Sequence, residues 1–125
     1  MILDTNGLSA AAEGTLSLEA VLRESAVVAI PVIVLGEYRF GIRQSRNQKQ
    51  YEDWLAESLP LYRLLAVEEE TAERYAAIRS ELKEAGTPIP TNDVWIAALC
   101  RQHSFPLVSR DRHFDLVRGL RRIEW

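Results

Sequence analysis

The feature that most constrains this chain is the alternation of short apolar runs with longer segments of helical period. Met1-Ile2-Leu3 is a short apolar run closed by Asp4-Thr5-Asn6-Gly7, which reads as a turn cluster. Leu18, Val21 and Leu22 have helical spacing, and Val27 to Ile30 is a continuous apolar run stopped by Pro31. Proline has no N–H to donate, so it suits the first turn of the helix predicted over 32–45. Asn47 with Gln50 resembles a capping box, behind which Tyr51, Trp54, Leu55 and Leu59 supply an apolar stripe. Leu61 to Val67 is strand-like. Glu68-Glu69-Glu70 suits a helix N-terminus, where acids meet the positive end of the dipole. Ala72, Tyr75, Ala76 and Leu82 are the inner face expected of that helix, and Gly86 stops it. Residues 92–103 read as a helix apolar nearly all round, hence buried. Phe105 to Ser109 predicts a strand, 111–118 one or two helical turns, and Leu120 to Trp125 an edge strand. Strands alternating with helices imply βαβ units, an α/β class chain with a mostly parallel sheet covered on both faces.

The length of 125 residues suits a single domain over 1–125. A chain of this size buries about two-thirds of its unfolded surface, enough for a core without staples. Apolar residues at 47% and charged residues at 26% exclude disorder and collagen-like sequence. A lone cysteine, Cys100, excludes an internal disulfide and a cysteine-based zinc cluster, and points to a reducing cytoplasm. The run from Ala26 to Leu35 is broken by Pro31 and falls short of the ~20 residues of a membrane span. No basic region precedes an apolar stretch at the N-terminus, so no signal peptide is expected. The net charge of −3 argues by itself against a nucleic-acid partner, but the charge is unevenly spread. Arg39, Arg43, Arg46 and Lys49 form a stretch without an acid, whereas Glu68, Glu69, Glu70 and Glu73 crowd one segment.

In parallel sheets the ligand site lies beyond the carboxyl ends of the strands. Asp4 ends the first strand, and Asp111 follows the strand Leu107-Val108-Ser109. Each has a local alternative: a turn with Thr5 and Asn6 for Asp4, and an N-cap of the next short helix for Asp111. Glu37 has Ile33, Val34, Phe40 and Gly41 as its helical neighbours, none of them a base, while Arg39, Arg43 and Arg46 project elsewhere. A buried carboxylate without a cation is costly or changes its protonation state, and a distant arginine partner is the local alternative for Glu37. Asp93 begins the apolar helix, where it also suits the dipole, with Thr91 or Asn92 as the cap. Asp115 shares a face with Asp111 if that turn is helical, though Arg112 and Arg118 offer it a surface ion pair. Four carboxylates meeting at one edge would repel unless a divalent ion neutralised them, and hard oxygen ligands favour Mg²⁺ or Mn²⁺ over zinc. His103 reads as a helix-end residue and His113 as a surface or substrate-side residue, the two not spaced as a ligand pair.

The stretches LDTN, IPVIVLGEYRFGI with Glu37, PTNDVWIAAL with Asp93 and LVSRDRHFDLV with Asp111, in that order, resemble a PIN domain. The spacing is most similar to the VapC-type ribonuclease toxins of type II toxin–antitoxin pairs, over nearly the whole chain. The resemblance implies a three-layer α/β/α fold with a mostly parallel sheet of four to five strands. It implies a cytoplasmic endoribonuclease dependent on one or two Mg²⁺ or Mn²⁺ ions, with Asp4, Glu37, Asp93 and Asp111 as the metal-binding, catalytic acids. Asp115 matches an extra acid of some members, Asn6 a polar residue after the first acid, and Ser109 a hydroxyl before the last. Arg110 and Arg112 are the first candidates for contact with RNA phosphates, with ordinary solvated surface as their alternative. A cognate antitoxin and a homodimer are also implied. Tyr51, Trp54 and Leu55 line an antitoxin groove or belong to the core, and Arg39, Arg43 and Arg46 are surface or antitoxin-facing. A receiver-like signalling module would need paired acids after the first strand and a late lysine. The chain has Asp-Thr-Asn there, and its last lysine is Lys83. An RNA-processing PIN nuclease without an antitoxin and an inactive binding module remain the alternatives.

Overall fold

The computed structural model describes all 125 residues. Strands β1 (Ile2–Leu3), β2 (Ala29–Pro31), β3 (Arg63–Leu65), β4 (Leu107–Val108) and β5 (Arg122–Ile123) form one sheet in the order β3-β2-β1-β4-β5. Every neighbouring pair is parallel. Six helices flank it: α1 (Thr5–Ala12), α2 (Leu16–Leu22), α3 (Val32–Arg43), α4 (Gln48–Ser58), α5 (Glu69–Glu84) and α6 (Thr91–His103). The architecture is the three-layer α/β/α sandwich that strand–helix alternation requires. Ile2, Leu3, Ala29, Ile30, Leu107 and Val108 of the three inner strands are all fully buried. Covered on both faces, such strands read as continuous apolar runs, and each large side chain buried is worth about 1.5–3 kcal/mol. No helix is long and apolar enough to cross a membrane.

The structure corrects several local expectations. Asp4-Thr5-Asn6-Gly7 is not a free turn: Asp4 caps α1, accepting from the Thr5 N–H at 2.7 Å, and Gly7 is buried within the helix. Capping and turn formation use the same Asx side-chain bonds, so the pattern fits both, and packing of Leu8 into the core selects the helix. The Asn47–Gln50 box does not form; the Asn47 N–H donates to Ser45 Oγ at 3.1 Å and its side chain makes no cap bond. The strand expected over Leu61–Val67 contracts to Arg63–Leu65 behind a 3-10 turn at Leu59–Leu61, because β3 is an edge strand pairing with β2 alone. On α5, Ala72 and Ala76 are exposed, and the inner face is Thr71, Ile78 and Leu82 with Tyr75 half-buried. A buried Thr71 is tolerated because its hydroxyl accepts from the Glu68 N–H at 3.0 Å and donates to Gln102.

The α4 stripe faces its own chain. Leu55 is in the core, Trp54 meets Tyr38 edge-on with centroids 6.2 Å apart, and the Tyr51 hydroxyl donates to Glu13 at 2.7 Å. Helix α6 is as buried as its composition predicts, with Val94 and Ile96 through Cys100 all inside. Trp95 stacks on Tyr75 at 4.0 Å, joining α6 to α5.

Candidate metal centre

The site lies at the carboxyl ends of β1 and β4, the central strand and its neighbour. Asp4 follows β1 and is 5% exposed. Its Oδ2 accepts from Ser109 Oγ at 2.7 Å and from Asn6 Nδ2 at 3.3 Å, and its Oδ1 accepts from the Thr5 N–H. Burial raises the Asp4 carboxyl above its ordinary range, the Ser109 and Thr5 bonds oppose this, and the charge of Asp111 adds to it. Ser109 follows β4, and its hydroxyl also accepts from the Asp111 N–H at 3.0 Å. Asp111 caps the 3-10 turn Arg112–Leu116, its Oδ1 accepting from the His113 N–H at 2.9 Å. The Arg110 N–H donates to Asn6 Oδ1 at 3.3 Å, tying the two strand ends together again.

Helices α3 and α6 bring in the other two acids. Each begins directly after an extended proline, Pro31 and Pro90, with no side-chain cap. The expected capping by Thr91 or Asn92 is therefore absent; both already lie in the first turn, and Asp93 follows them there. Glu37 accepts from Thr5 Oγ1 at 3.2 Å through Oε2, while its Oε1 is buried without a partner. No base pairs with Glu37, so the distant arginine is ruled out as its counter-charge. Asp93 is pushed up to about 6, first by burial, then by the charges of Asp111, Asp4 and Glu37, against a bond from His113. Asp93 thus feels the charge of the other three predicted acids. The tightest group is narrower: one ligand atom each of Asp93, Asp111 and His113 lie within 4.8 Å of one another. Asp4 and Glu37 stand outside that trio.

The remaining residues divide clearly. Asp115 accepts a two-pronged bond from Arg122, at 2.8 Å from Nε and 3.0 Å from Nη2, which holds its carboxyl below the usual range. Its partner is Arg122 rather than Arg112 or Arg118, and it is not part of the trio. Arg122 also donates to Glu124 at 2.9 Å and to the Ser109 carbonyl at 3.1 Å. The Arg110 guanidinium lies 4.5 Å over the Trp125 ring and donates to the Trp125 carbonyl at 3.0 Å. Arg112, Arg39, Arg43 and Arg46 are exposed. His103 ends α6 and stacks on Phe105. A cavity of about 280 Å³ opens beside Glu37, lined also by Thr5, Glu13, Tyr38 and Tyr51.

The family model described as PIN domain matches residues 1–120. The chain belongs to the PIN domain family. This PIN domain is 30% identical over 125 residues, 98% of its length and 91% of the relative's, to Ribonuclease VapC5 of Mycobacterium tuberculosis. It is 36% identical over 90 residues, 67% of the chain and 65% of the relative, to Toxin FitB of Neisseria gonorrhoeae. Among solved structures it superposes on VapBC2 from Rickettsia felis, bound to a promoter DNA fragment, with a TM-score of 0.90 at 25% identity, covering 99% and 97% of the two chains. FitAcB from Neisseria gonorrhoeae gives a TM-score of 0.84 at 31% identity, covering 98% and 95%. These relatives make it a PIN domain of the VapC type.

The donor set of this PIN domain fits a divalent ion. Asp4, Glu37, Asp93 and Asp111 supply hard oxygens, no arginine or lysine neutralises them, and the orphaned Glu37 Oε1 is a buried acceptor without a donor. His113, expected as a surface or substrate-side residue, is exposed and also lies against Asp93 and Asp111. Its signal was its place two residues beyond an Asx cap: its backbone N–H donates to Asp111 Oδ1, and its ring Nδ1 lies 3.2 Å from the same oxygen.

Proposed function

We propose that this PIN domain is a divalent-metal-dependent endoribonuclease toxin of a toxin–antitoxin pair, cleaving RNA phosphodiester bonds. The observation that carries the reading is the convergence of Asp4, Glu37, Asp93 and Asp111 without a cation, strong enough to raise Asp93 to about 6. The relatives Ribonuclease VapC5 and Toxin FitB support the same reading. Asp4, Glu37, Asp93 and Asp111 would hold one or two ions of Mg²⁺ or Mn²⁺, which when bound supply an activated water and charge stabilisation at the leaving oxygen.

The chain's own side chains set up that chemistry. Ser109 and Asn6 bind one Asp4 oxygen and the Thr5 N–H binds the other, so the carboxylate has a fixed orientation. Thr5 holds one oxygen of Glu37 and leaves the second free. Arg112, exposed beside Asp111, is the base available to a substrate phosphate; Arg110 is held over Trp125. Single-stranded or loop RNA suits such an edge, because its phosphates and bases can be splayed across it. A cognate antitoxin follows from the VapBC and FitAB complexes among the structural relatives. Its contact surface would be the exposed side of α3, with Val32, Arg39, Phe40 and Arg43, and not Leu55 or Trp54, which pack inward. A homodimer and a cytoplasmic site of action complete the proposal.

The test is incubation of purified protein with total RNA and Mn²⁺, then with a chelator, followed by mapping of the new ends. Cleavage that stops on chelation and is lost in Asp93→Asn, with the circular dichroism spectrum unchanged, is the expected result. Cleavage that persists in chelator, or in Asp93→Asn, overturns the reading.

A further inference from the structure

His113 is 54% exposed by side chain, and its Nδ1 lies 3.2 Å from Asp111 Oδ1 and 3.6 Å from Asp93 Oδ2. Two ligands at bonds of about 2.0–2.2 Å and a tetrahedral angle sit about 3.3–3.5 Å apart, so these separations are those of neighbouring ligands around one ion. The set is an imidazole nitrogen with two carboxylates on the rim of the site, a composition different from the four acids. Mg²⁺ demands near-octahedral oxygen and keeps its waters, whereas imidazole suits borderline transition ions. Three protein ligands with an open outer side are the pattern of a reactive or exchangeable zinc site, not of a closed structural one.

We infer that Asp93, Asp111 and His113 form a binding site for a borderline transition-metal ion, Zn²⁺ in type, that Mg²⁺ does not use in the same way. The inference rests on the reading of Asp93 and Asp111 as ion-holding acids and adds His113 as a ligand that selects the metal. Because the site shares both acids with the nuclease centre, Zn²⁺ competes with the ions that support cleavage. The Asp111 carboxylate and backbone are held: its Oδ1 accepts from the His113 backbone N–H, and its own N–H donates to the Ser109 hydroxyl.

The experiment is calorimetric titration of the full chain, first freed of metal, with ZnCl₂ and with MgCl₂ separately. Wild type is compared with His113→Ala and with His113→Gln, which keeps a polar side chain of similar reach. Co²⁺ is added in parallel as a visible-absorption probe of nitrogen ligation. Zn²⁺ affinity is expected to fall by more than ~10-fold in both variants, with Mg²⁺ affinity unchanged and the cobalt band altered. Zn²⁺ affinity equal in all three proteins, or Zn²⁺ and Mg²⁺ affinities falling together, overturns the inference. Cleavage of RNA by the wild type in Mg²⁺ is read separately. Its absence removes the nuclease proposal while the zinc titration stands on its own result.

Discussion

The Ser109 hydroxyl donates to the buried Asp4 carboxylate across 2.7 Å, joining residues that follow adjacent parallel strands. The same hydroxyl accepts from the Asp111 N–H. One side chain thus fixes the relative positions of the two acids that leave the centre of the sheet. Ser109→Ala leaves Asp4 with one donor fewer in a desolvated place. The variant is expected to lose about 1–3 kcal/mol in urea denaturation, with a higher Asp4 pKa by NMR titration. Wild-type stability in Ser109→Ala would show that Thr5 and Asn6 suffice.

Asp93 links charge to stability. Its carboxyl is raised in the fold, from 3.8 to about 6, so its contribution to folding is fully present below pH 3.8 and is lost as pH rises through about 6. In metal-free buffer at pH 7, Asp93→Asn is therefore expected to be more stable than wild type by about 1–2 kcal/mol, after allowance for solvent screening. The advantage should vanish near pH 4. Denaturation of both proteins at the two pH values measures it, and a less stable Asn variant at pH 7 contradicts it.

Divalent ions should act in the opposite direction. If the acids hold Mg²⁺ or Mn²⁺ as proposed, the ion should stabilise the folded state by mass action, by about 2.7 kcal/mol at a hundredfold excess over Kd. A thermal melt with millimolar metal should shift upward and return on chelation. An unmoved melting temperature would leave the acids without their counter-ion.

Arg122 holds the loop that carries Asp111. It bonds Asp115, Glu124 and the Ser109 carbonyl at once, though its two carboxylate partners are half-exposed. Arg122→Ala should cost about 1–2 kcal/mol, more than an exposed ion pair is worth, because the Ser109 carbonyl loses its donor. Asp115→Asn should leave metal affinity as in wild type. A drop in metal affinity in Asp115→Asn would restore Asp115 to the ligand set.

Gly7 sits where α1 crosses the sheet. A Cβ there would lie 2.5 Å from Leu3 Cδ1 and 3.4 Å from the Val108 carbonyl oxygen. Leu3 is fully buried and has no room to retreat. Gly7→Ala is expected to destabilise by about 1–3 kcal/mol despite the higher helix propensity of alanine. A stabilised variant would show that α1 shifts freely.

The sequence by itself determined the layered architecture, and it singled out Asp4, Glu37, Asp93 and Asp111 as candidate site acids. Apolar runs too short for anything but buried strands, separated by helical periods, leave few alternatives to a parallel sheet. Acids without local bases, such as Glu37, stand out because an unneutralised buried charge is costly. The tertiary structure decided which local pattern won where two were compatible. Asp4 to Gly7 became a cap and helix because Leu8 packs inward, and Ala72 and Ala76 face water because Thr71 found partners for its hydroxyl. It also decided the long-range partners, Asp115 with Arg122, Arg110 with Trp125 and His113 with Asp93. Spacing along a chain specifies which residues share a helix face or strand end. Which side chains meet across elements depends on how those elements pack, and that information is not local.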